Sequence, residues 1–408
     1  EPDRCHRAGS TETGIRQPLD TIDRDDERVV RAWPSGGRPH ADTAEDGLEL
    51  EAEGIESLTE QLVEFEAISA ATGIDQLGPD GGLAQIGNAP EKDVDVLERN
   101  CAHLRLLERG HQVRVLVRDP RRISGRPWAE QVEQVTGDLL DAEAVTQALA
   151  GVDAAYYLVH SMGASSDFAA IDRQASATFA KAAATIGHVI YLGGLLPQTP
   201  HVSAHLRSRA EVGAILHAHC RTTEFRAGPI IGSGSASFEM VRYLTERLPV
   251  MVAPRWILND VQPVAIRDVL NYLISALDHA PLGIVDIGAK RLTFKAMMEE
   301  YAAVRNLRRA IFPLAVPFPM AVAGASWVGL VTPIPNDLAI PLVEGVVDPI
   351  VGDTTRAMQL FPEIQPISYR RAVELALQRI EHGDVETRWS GALGGAVTYE
   401  LKEAEGMV

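Results

Sequence analysis

The sequence predicts an α/β fold: a doubly wound parallel sheet with a smaller C-terminal lobe and a poorly structured N-terminal segment. From about residue 111 onward, short apolar runs alternate with longer stretches whose apolar residues recur at helical spacing. Strict alternation implies right-handed crossovers between parallel strands and helices on both faces of the sheet. The 408 residues are 46% hydrophobic, which is enough to bury a core of that size.

The individual elements follow from these patterns. Residues 142–150 are helix-like, and in residues 168–186 the side chains of Phe168, Phe179 and Ile186 mark one face of a long helix. The predicted strands are residues 113–117, 154–159, 188–192, 224–231 and 282–287.

The two ends of the chain differ from this middle part. The N-terminal segment is rich in Asp, Glu, Gly and Arg with little periodicity, and only residues 48–68 have the spacing of an amphipathic helix. After the last strand, a proline-rich apolar segment at 311–335 precedes a predicted helix at 369–382 with Ser368 as its N-cap. The predicted organisation is an irregular segment at 1–92, the sheet domain at 93–288, a substrate-side lobe at 289–390 and a tail at 391–408.

Charge and composition limit the kinds of partner. A net charge of -18 argues against a nucleic-acid protein, so small molecules or proteins are the expected partners. The three cysteines have the spacing of neither a disulfide framework nor a metal site, and residues 1–31 are too polar for a signal peptide, so a cytoplasmic location is expected. Prolines argue against a membrane span at 311–335, which leaves packing in the core or a peripheral contact with a lipid-like or quinone-like molecule. The oligomeric state stays open.

Six segments in order carry a resemblance to a known family. The chain resembles the extended and atypical short-chain dehydrogenases/reductases, especially the NmrA-like NAD(P)H-binding branch and relatives of the NADPH-binding accessory subunit of respiratory complex I. The resemblance covers roughly residues 101–288, and more loosely reaches 390. It implies a Rossmann-type NAD(P)-binding fold. The segments are GHQVRVLVRDPRR (110–122), GDLLD (137–141), GVDAAYYLVHSMG (151–163), HVIYLGGL (188–195), FRAGPIIGSGS (225–235) and VQPVAIRDVL (261–270).

The resemblance implies residues for the adenosine end of a cofactor. Arg118, with Arg121 beyond it, follows a strand where an arginine suits a 2′-phosphate, so NADP(H) is preferred over NAD(H). Asp138 and Leu139 stand where the family holds the adenine. The alternative interpretations are that Arg118 and Arg121 lie in a solvated basic turn after the strand, and that Gly137 and Asp138 form an ordinary turn.

The residues expected at the nicotinamide end of the cofactor, where the chemistry occurs, depart from the family pattern. Tyr157 and His160 either line a nicotinamide or substrate pocket or pack at a strand end. Gly193 stands where related enzymes carry a serine, and His205 and Arg209 replace the Tyr-x-x-x-Lys pair. A histidine can exchange protons near neutral pH, whereas an arginine does not simply replace a lysine.

The phosphate-binding glycine loop of the family is not readable. When the family motif is aligned without gaps backwards from Gly110, the positions of its three glycines are occupied by Asp93, Val96 and Arg99. Three explanations stay open: a replaced or frame-shifted segment upstream of about residue 104, which we favour, a divergent protein that has given up nucleotide binding, or a distant segment that supplies the loop. Cofactor binding by this chain is therefore in doubt.

Three functions follow from the resemblance. The first is an NAD(P)H-dependent oxidoreductase-like protein that transfers hydride to an unknown hydrophobic carbonyl or quinone-like substrate. The second is a non-catalytic sensor or assembly protein, favoured by the missing serine, tyrosine and lysine. The third, a sugar-nucleotide epimerase or dehydratase, needs the same missing pair. Arg242, Arg247 and Arg255 either recognise an anionic group or are solvated.

Overall fold

The computed structural model describes residues 67–71, 102–124, 126, 128–159, 168–200, 202–315, 331–334 and 336–382. The strands are β1 (Ala67–Ala71), β2 (Gln112–Val117), β3 (Glu133–Thr136), β4 (Ala154–Tyr157), β5 (His188–Gly194), β6 (Thr222–Ala227), β7 (Ile230–Ile231), β8 (Val250–Pro254), β9 (Asp260–Val261), β10 (Val264–Ala265), β11 (Gly283–Ile287), β12 (Leu292–Thr293) and β13 (Ala310–Leu314). The helices are α1 (Ala102–Glu108), α2 (Ala142–Leu149), α3 (Phe168–Ala182), α4 (Ala204–His219), α5 (Ala236–Arg247), α6 (Ile266–Ser275), α7 (Phe294–Val304), α8 (Asn336–Val346), α9 (Thr355–Leu360) and α10 (Tyr369–His382).

The main sheet has seven strands in the order β11-β6-β5-β4-β1-β2-β3. The pairs β2·β3, β4·β5, β5·β6 and β6·β11 are parallel. The chain winds outward from the centre in both directions, which is the topology of a Rossmann-type sheet. The predicted doubly wound fold is confirmed.

One strand runs against the rest. β1 lies between β2 and β4 and is antiparallel to both, with Ala67 opposite Leu116 and Tyr157, and Ala71 opposite Gln112. The sequence pattern does not predict this strand, because AISAA has one β-branched residue in five. The pattern predicts an amphipathic helix over residues 48–68, which is wrong for Ala67 and Ile68; residues 48–66 lie outside the described residues.

Helices cover both faces of the sheet, and β4 shows how adjacent residues divide between them. Tyr156 belongs to the core that contains α1 and α6, and its hydroxyl donates to the carbonyl oxygen of Leu273 at 3.0 Å. Tyr157 belongs to the core on the opposite face, with residues of α2, α3 and α4. Alternate side chains of a strand point to opposite faces, so a parallel sheet buried on both sides reads as a continuous apolar run.

A separate core, which we call the lobe core, joins α5, α7, α8 and α10 beside the sheet. Phe238, Val241, Met297, Tyr301 and Val373 are buried in it. The predicted helix at the end of the chain is present as α10, whose first turn is capped by the hydroxyl of Ser368, which accepts from the backbone N–H of Arg371 at 3.3 Å. Because α5 contributes to this core, the lobe draws on residues before position 288, and the predicted boundary there stays a prediction.

Within the described part of the chain, no helix combines the length and the apolar character needed to cross a bilayer. The same residues contain no group of three or more His, Cys, Asp or Glu side chains that could hold a metal ion.

We expect the free energy of unfolding to decrease as the pH is lowered from 7 to 5, because burial lowers the pKa of several histidines, among them His103 and His188. Burial, aided by Arg126, lowers the pKa of His103 to about 4, and burial, aided by Arg221, lowers that of His188 to about 4. The unfolded chain binds protons at these sites near pH 6.5, so stability is lost as the pH falls below that value. The loss is about 2 kcal/mol for each histidine at pH 5.

Urea unfolding at pH 7 and pH 5 measures this loss. The His188→Gln variant should reduce the difference between the two pH values, while His382→Gln, at an exposed position on α10, is the matched control. Equal unfolding free energies of the wild-type chain at pH 5 and pH 7 would contradict the prediction.

Candidate functional site

The candidate site lies at the carboxyl ends of the parallel strands, where the order of the sheet reverses between β2 and β4. In open α/β sheets this edge forms the crevice that receives ligands. The predicted site residues follow β2, β3, β4 and β5 or lie in the first turns of α4.

Two of the predicted adenosine-binding residues come together at this edge. Arg118 follows β2 and Asp138 follows β3, and the Nη1 atom of the arginine lies 3.9 Å from Oδ2 of the carboxylate. The other oxygen of Asp138 accepts from the backbone N–H of Leu140 at 2.8 Å, which fixes the carboxylate in a tight turn. A Cβ at Gly137 would lie 2.3 Å from Cβ of Ala144, so glycine here lets α2 approach the strand end.

The neighbouring arginine has a different partner. Arg121 is exposed, and its guanidinium is held by Asp119, with Nε at 3.0 Å from Oδ1 and Nη2 at 2.8 Å from Oδ2. This hydrogen-bonded carboxylate raises the pKa of Arg121. Arg118 is thus the arginine that faces Asp138, and a role for Arg121 toward a cofactor stays a prediction.

Leu139 and Tyr157 are buried in the core of the sheet domain. The ring of Tyr157 packs edge-on against Phe179 and Tyr191, at centroid distances of 4.9 and 6.0 Å. Burial raises its pKa well above the ordinary value, and its hydroxyl has no hydrogen-bond partner among the described residues. This geometry favours packing at the strand end over the pocket-lining alternative, and a role for Tyr157 toward a cofactor stays a prediction. His160 lies outside the described residues, as do Asp93, Val96 and Arg99.

A buried carboxylate explains the glycine at the position of the missing serine. Glu224, on β6, accepts from Nε of Arg226 at 2.7 Å and lies 3.1 Å from Nε2 of His217 on α4. A Cβ at Gly193 would lie 2.8 Å from Oε1 of this carboxylate, and a Cβ at Gly213 would lie 2.7 Å from Oε2. A side chain at either position would therefore collide with Glu224.

Burial raises the pKa of Glu224, but hydrogen bonds from His217 and Arg226 outweigh it and hold the pKa below the usual value. The carboxylate is thus charged at neutral pH and satisfied by its two partners. The sequence pattern indicates Glu224 only as the start of a predicted strand. Thr222, Thr223, Glu224 and Arg226 make four of the six residues of β6 polar, which is unusual inside a buried sheet and is the signal in the sequence for this cluster.

His205 and Arg209 lie in the first turns of α4, beside the glycines that end β5. A Cβ at Gly194 would lie 3.5 Å from Cδ of Arg209, and the backbone carbonyl of Arg209 accepts from the hydroxyl of Tyr191 at 3.0 Å. A Cβ at Gly345 on α8 would lie 2.8 Å from Cε1 of His205, so the lobe closes over this histidine. The predicted His-x-x-x-Arg pair is therefore located where α4, β5 and the lobe meet.

The surroundings of His205 set its protonation state. Burial, aided by the charge of Arg209, lowers its pKa to about 3, and its Nδ1 lies 3.2 Å from the hydroxyl of Ser203. At neutral pH the ring is uncharged. It can form hydrogen bonds there, but it does not carry the extra proton of an imidazolium.

These residues fit one half of a dinucleotide better than the other. Arg118 has the charge that suits an adenosine 2′-phosphate, and Asp138 offers an acceptor that suits the amino group of an adenine. The diphosphate of such a cofactor is ordinarily held by a glycine turn that follows a parallel central strand. In this chain the central strand is β1, which runs the other way, so its carboxyl end at Ala71 lies at the opposite edge of the sheet. None of the described residues forms that turn.

We expect Gly193→Ala to cost about 2 kcal/mol of unfolding free energy, because the added Cβ would displace a carboxylate that is fixed by two partners. The matched control is Gly194→Ala, whose Cβ would lie 3.0 Å from Cδ2 of Leu206, the end of a flexible side chain. The control should lose less than half as much. Urea denaturation of both variants measures the difference, and equal losses would show that Glu224 does not impose the glycine.

The comparisons with known proteins agree with this fold. Residues 101–224 match the family model described as NAD(P)H-binding. No curated protein matches the sequence.

Three solved structures show the similarity. WbmH from Bordetella bronchiseptica, in complex with NAD+, is 16% identical with a TM-score of 0.51, over 70% of this chain and 94% of that one. UDP-glucose 4-epimerase from Thermotoga maritima, with UDP-glucose, is 14% identical with a TM-score of 0.52, over 70% and 95%. Triphenylmethane reductase from a Citrobacter species is 16% identical with a TM-score of 0.51, over 64% and 89%. Residues 101–224 are therefore similar to an NAD(P)H-binding family, and the chain shares the Rossmann-type fold of these solved structures, as the sequence predicted.

Proposed function

We propose that this protein binds NADPH in preference to NADH and acts as an oxidoreductase on a hydrophobic carbonyl or quinone-like small molecule. The observation that carries the proposal is the approach of Arg118 to Asp138 at the ends of β2 and β3, 3.9 Å apart. The match of residues 101–224 to the NAD(P)H-binding family supports a nicotinamide nucleotide as the ligand. The preference for NADPH rests on Arg118 alone.

The preference follows from charge and geometry. A guanidinium can bind a phosphate through two parallel hydrogen bonds, whereas the hydroxyls of an NADH ribose are better matched by an acidic acceptor. Arg118 keeps part of its side chain exposed at 22%, and its contact with Asp138 is near the limit of an ion pair. A 2′-phosphate can therefore replace the carboxylate as the partner of Arg118, while Asp138 stays beside the adenine.

At the chemical end, the proposed roles follow from the side chains present. A bound NADPH would supply the hydride. Neutral His205 is suited to donate a hydrogen bond to a substrate carbonyl, since its pKa is about 3 and it carries no imidazolium proton to transfer. The proton that completes the reduction after hydride transfer would come from water. Arg209, one turn along α4, is suited to hold a ribose or an anionic group. The fold is shared with a reductase that acts on triphenylmethane dyes, which supports a hydrophobic substrate.

A non-catalytic sensor is the second candidate. It is favoured by the uncharged His205 and by Gly193, which leaves no room for the serine that related enzymes use. The two candidates differ in turnover. An enzyme oxidises NADPH when a quinone or an aromatic aldehyde is added, whereas a sensor binds the nucleotide and leaves it unchanged. An epimerase or dehydratase is not favoured, because those reactions need the tyrosine and lysine that this chain lacks.

We expect Arg118→Ala to weaken NADPH binding by about tenfold or more and NADH binding by less than threefold, because only NADPH loses a charge-assisted pair. Isothermal titration calorimetry with each nucleotide measures the two ratios. The control is Arg370→Ala, which removes an exposed arginine paired with Glu374 on α10. Equal weakening of both nucleotides by Arg118→Ala would exclude the assignment of this residue to the 2′-phosphate.

A further inference from the structure

A two-stranded ribbon outside the main sheet presents apolar side chains to solvent. β8 and β13 pair in parallel, with Val252 opposite Phe312 and Pro254 opposite Leu314. Val250 is 60% exposed, Val252 62%, Phe312 57% and Leu314 53%. Large apolar side chains that lie this exposed and next to one another mark an interaction surface more often than scattered ones do. We call these four residues the apolar ribbon.

The opposite face of the ribbon is part of the protein core. Met251 and Ala253 alternate with the exposed valines and are buried in the lobe core, against which Ile311 also packs. The strands are therefore held firmly from beneath. The exposed face is a fixed feature of the fold and does not depend on the rotamers of single side chains.

The charge around the ribbon differs from that of the rest of the chain. Residues 247–259 and 305–315, which contain both strands, include five arginines and no Asp, Glu or Lys, in a protein whose net charge is -18. Glu246 and Asp260 adjoin the first range, and Arg305 pairs with Glu246 and Glu381, so the basic character rests on the other arginines. Arg255 follows β8 directly, and Arg308 precedes β13 by two residues. Both are exposed, and neither pairs with a carboxylate of the described residues. Cations thus stand at both ends of an apolar surface.

We propose that the apolar ribbon docks onto a bilayer that contains anionic lipids. Phe312, Leu314 and the valines would enter the boundary between headgroups and acyl chains, while Arg255 and Arg308 would pair with lipid phosphates. Long arginine side chains suit this arrangement, because their stems lie along apolar surface while their charge reaches the headgroups. The protein as a whole is acidic, so the attraction is local and anionic lipid is needed to recruit it.

This occupant is favoured over a second copy of the chain. In a two-fold dimer the same patch faces itself, which would bring the arginines of one copy toward those of the other. Anionic headgroups neutralise the same arginines. The proposal is independent of nucleotide binding, since none of the ribbon residues belongs to the candidate site at the carboxyl edge of the main sheet.

The test is flotation of the full chain with two kinds of vesicle: phosphatidylcholine alone, and phosphatidylcholine mixed with phosphatidylglycerol. Binding should require phosphatidylglycerol and weaken as salt is raised. The Arg255→Glu and Arg308→Glu variants should each reduce partitioning about fivefold or more. The double variant Phe312→Ser/Leu314→Ser should reduce it about tenfold or more.

Two controls match these variants. Met358→Ser removes another exposed apolar side chain, on α9, and Arg370→Glu reverses an exposed arginine on α10; both should bind vesicles like the wild-type chain. Circular dichroism of each variant verifies that it is folded. Binding that is equal with and without phosphatidylglycerol would overturn the proposal. The proposal would also be overturned if the chain bound neither kind of vesicle and sedimented as a dimer that is lost in the Phe312→Ser/Leu314→Ser variant.

Discussion

A charged carboxylate buried beneath α4 determines what the chemical end of this site can contain. Glu224 sits inside a parallel strand, where an unpaired charge would cost several kcal/mol, on the order of 3–5. Arg226 and His217 satisfy it from the same strand and from the helix above. Its side chain takes the space that Cβ atoms would need at Gly193 and Gly213. The family's serine position is thus closed by packing, and α4 is held against the sheet by the same cluster.

The adenosine end does not depend on that cluster. Arg118 and Asp138 are placed by the ends of β2 and β3, and by the close approach of α2 that Gly137 allows. The residues predicted for nucleotide recognition and those predicted for the chemistry therefore lie at different parts of the sheet. A chain of this design can change the second set while keeping the first, so a nucleotide-binding fold is compatible with a departure from the usual Tyr-x-x-x-Lys pair. The reversed direction of β1 concerns a third region, the turn after a parallel central strand that ordinarily holds a diphosphate.

The predictability of each element follows from its burial. The strands buried on both faces, such as β2 and β5, appear in the sequence as apolar runs, and their predicted bounds agree with the structure within two residues. β3 was missed because it is an edge strand whose residues Glu133, Gln134 and Thr136 are exposed. The predicted strand at 224–231 is two strands, since Gly228 and Pro229 interrupt it between β6 and β7. The chain packs closely at this interruption, since a Cβ at Gly228 would lie 2.2 Å from the carbonyl oxygen of Gln262.

The site was predictable to the extent that it rests on neighbours in sequence. The sequence predicted strand ends at Arg118 and Gly193, and the resemblance predicted Asp138 as an adenine-binding residue. It did not predict that Arg121 binds Asp119 or that Tyr157 lies in the core. Those outcomes, and the uncharged state of His205, depend on residues far away in the chain, such as Gly345 on α8. Burial and long-range pairing cannot be read from local pattern.

The central claim is that this fold still binds a nicotinamide nucleotide and prefers NADPH. Titration of the full chain with NADPH and with NADH, followed through nicotinamide fluorescence, tests it most directly. The account predicts saturable binding of both nucleotides, with the tighter affinity for NADPH. Absence of a saturable signal with either nucleotide at millimolar concentration would contradict it.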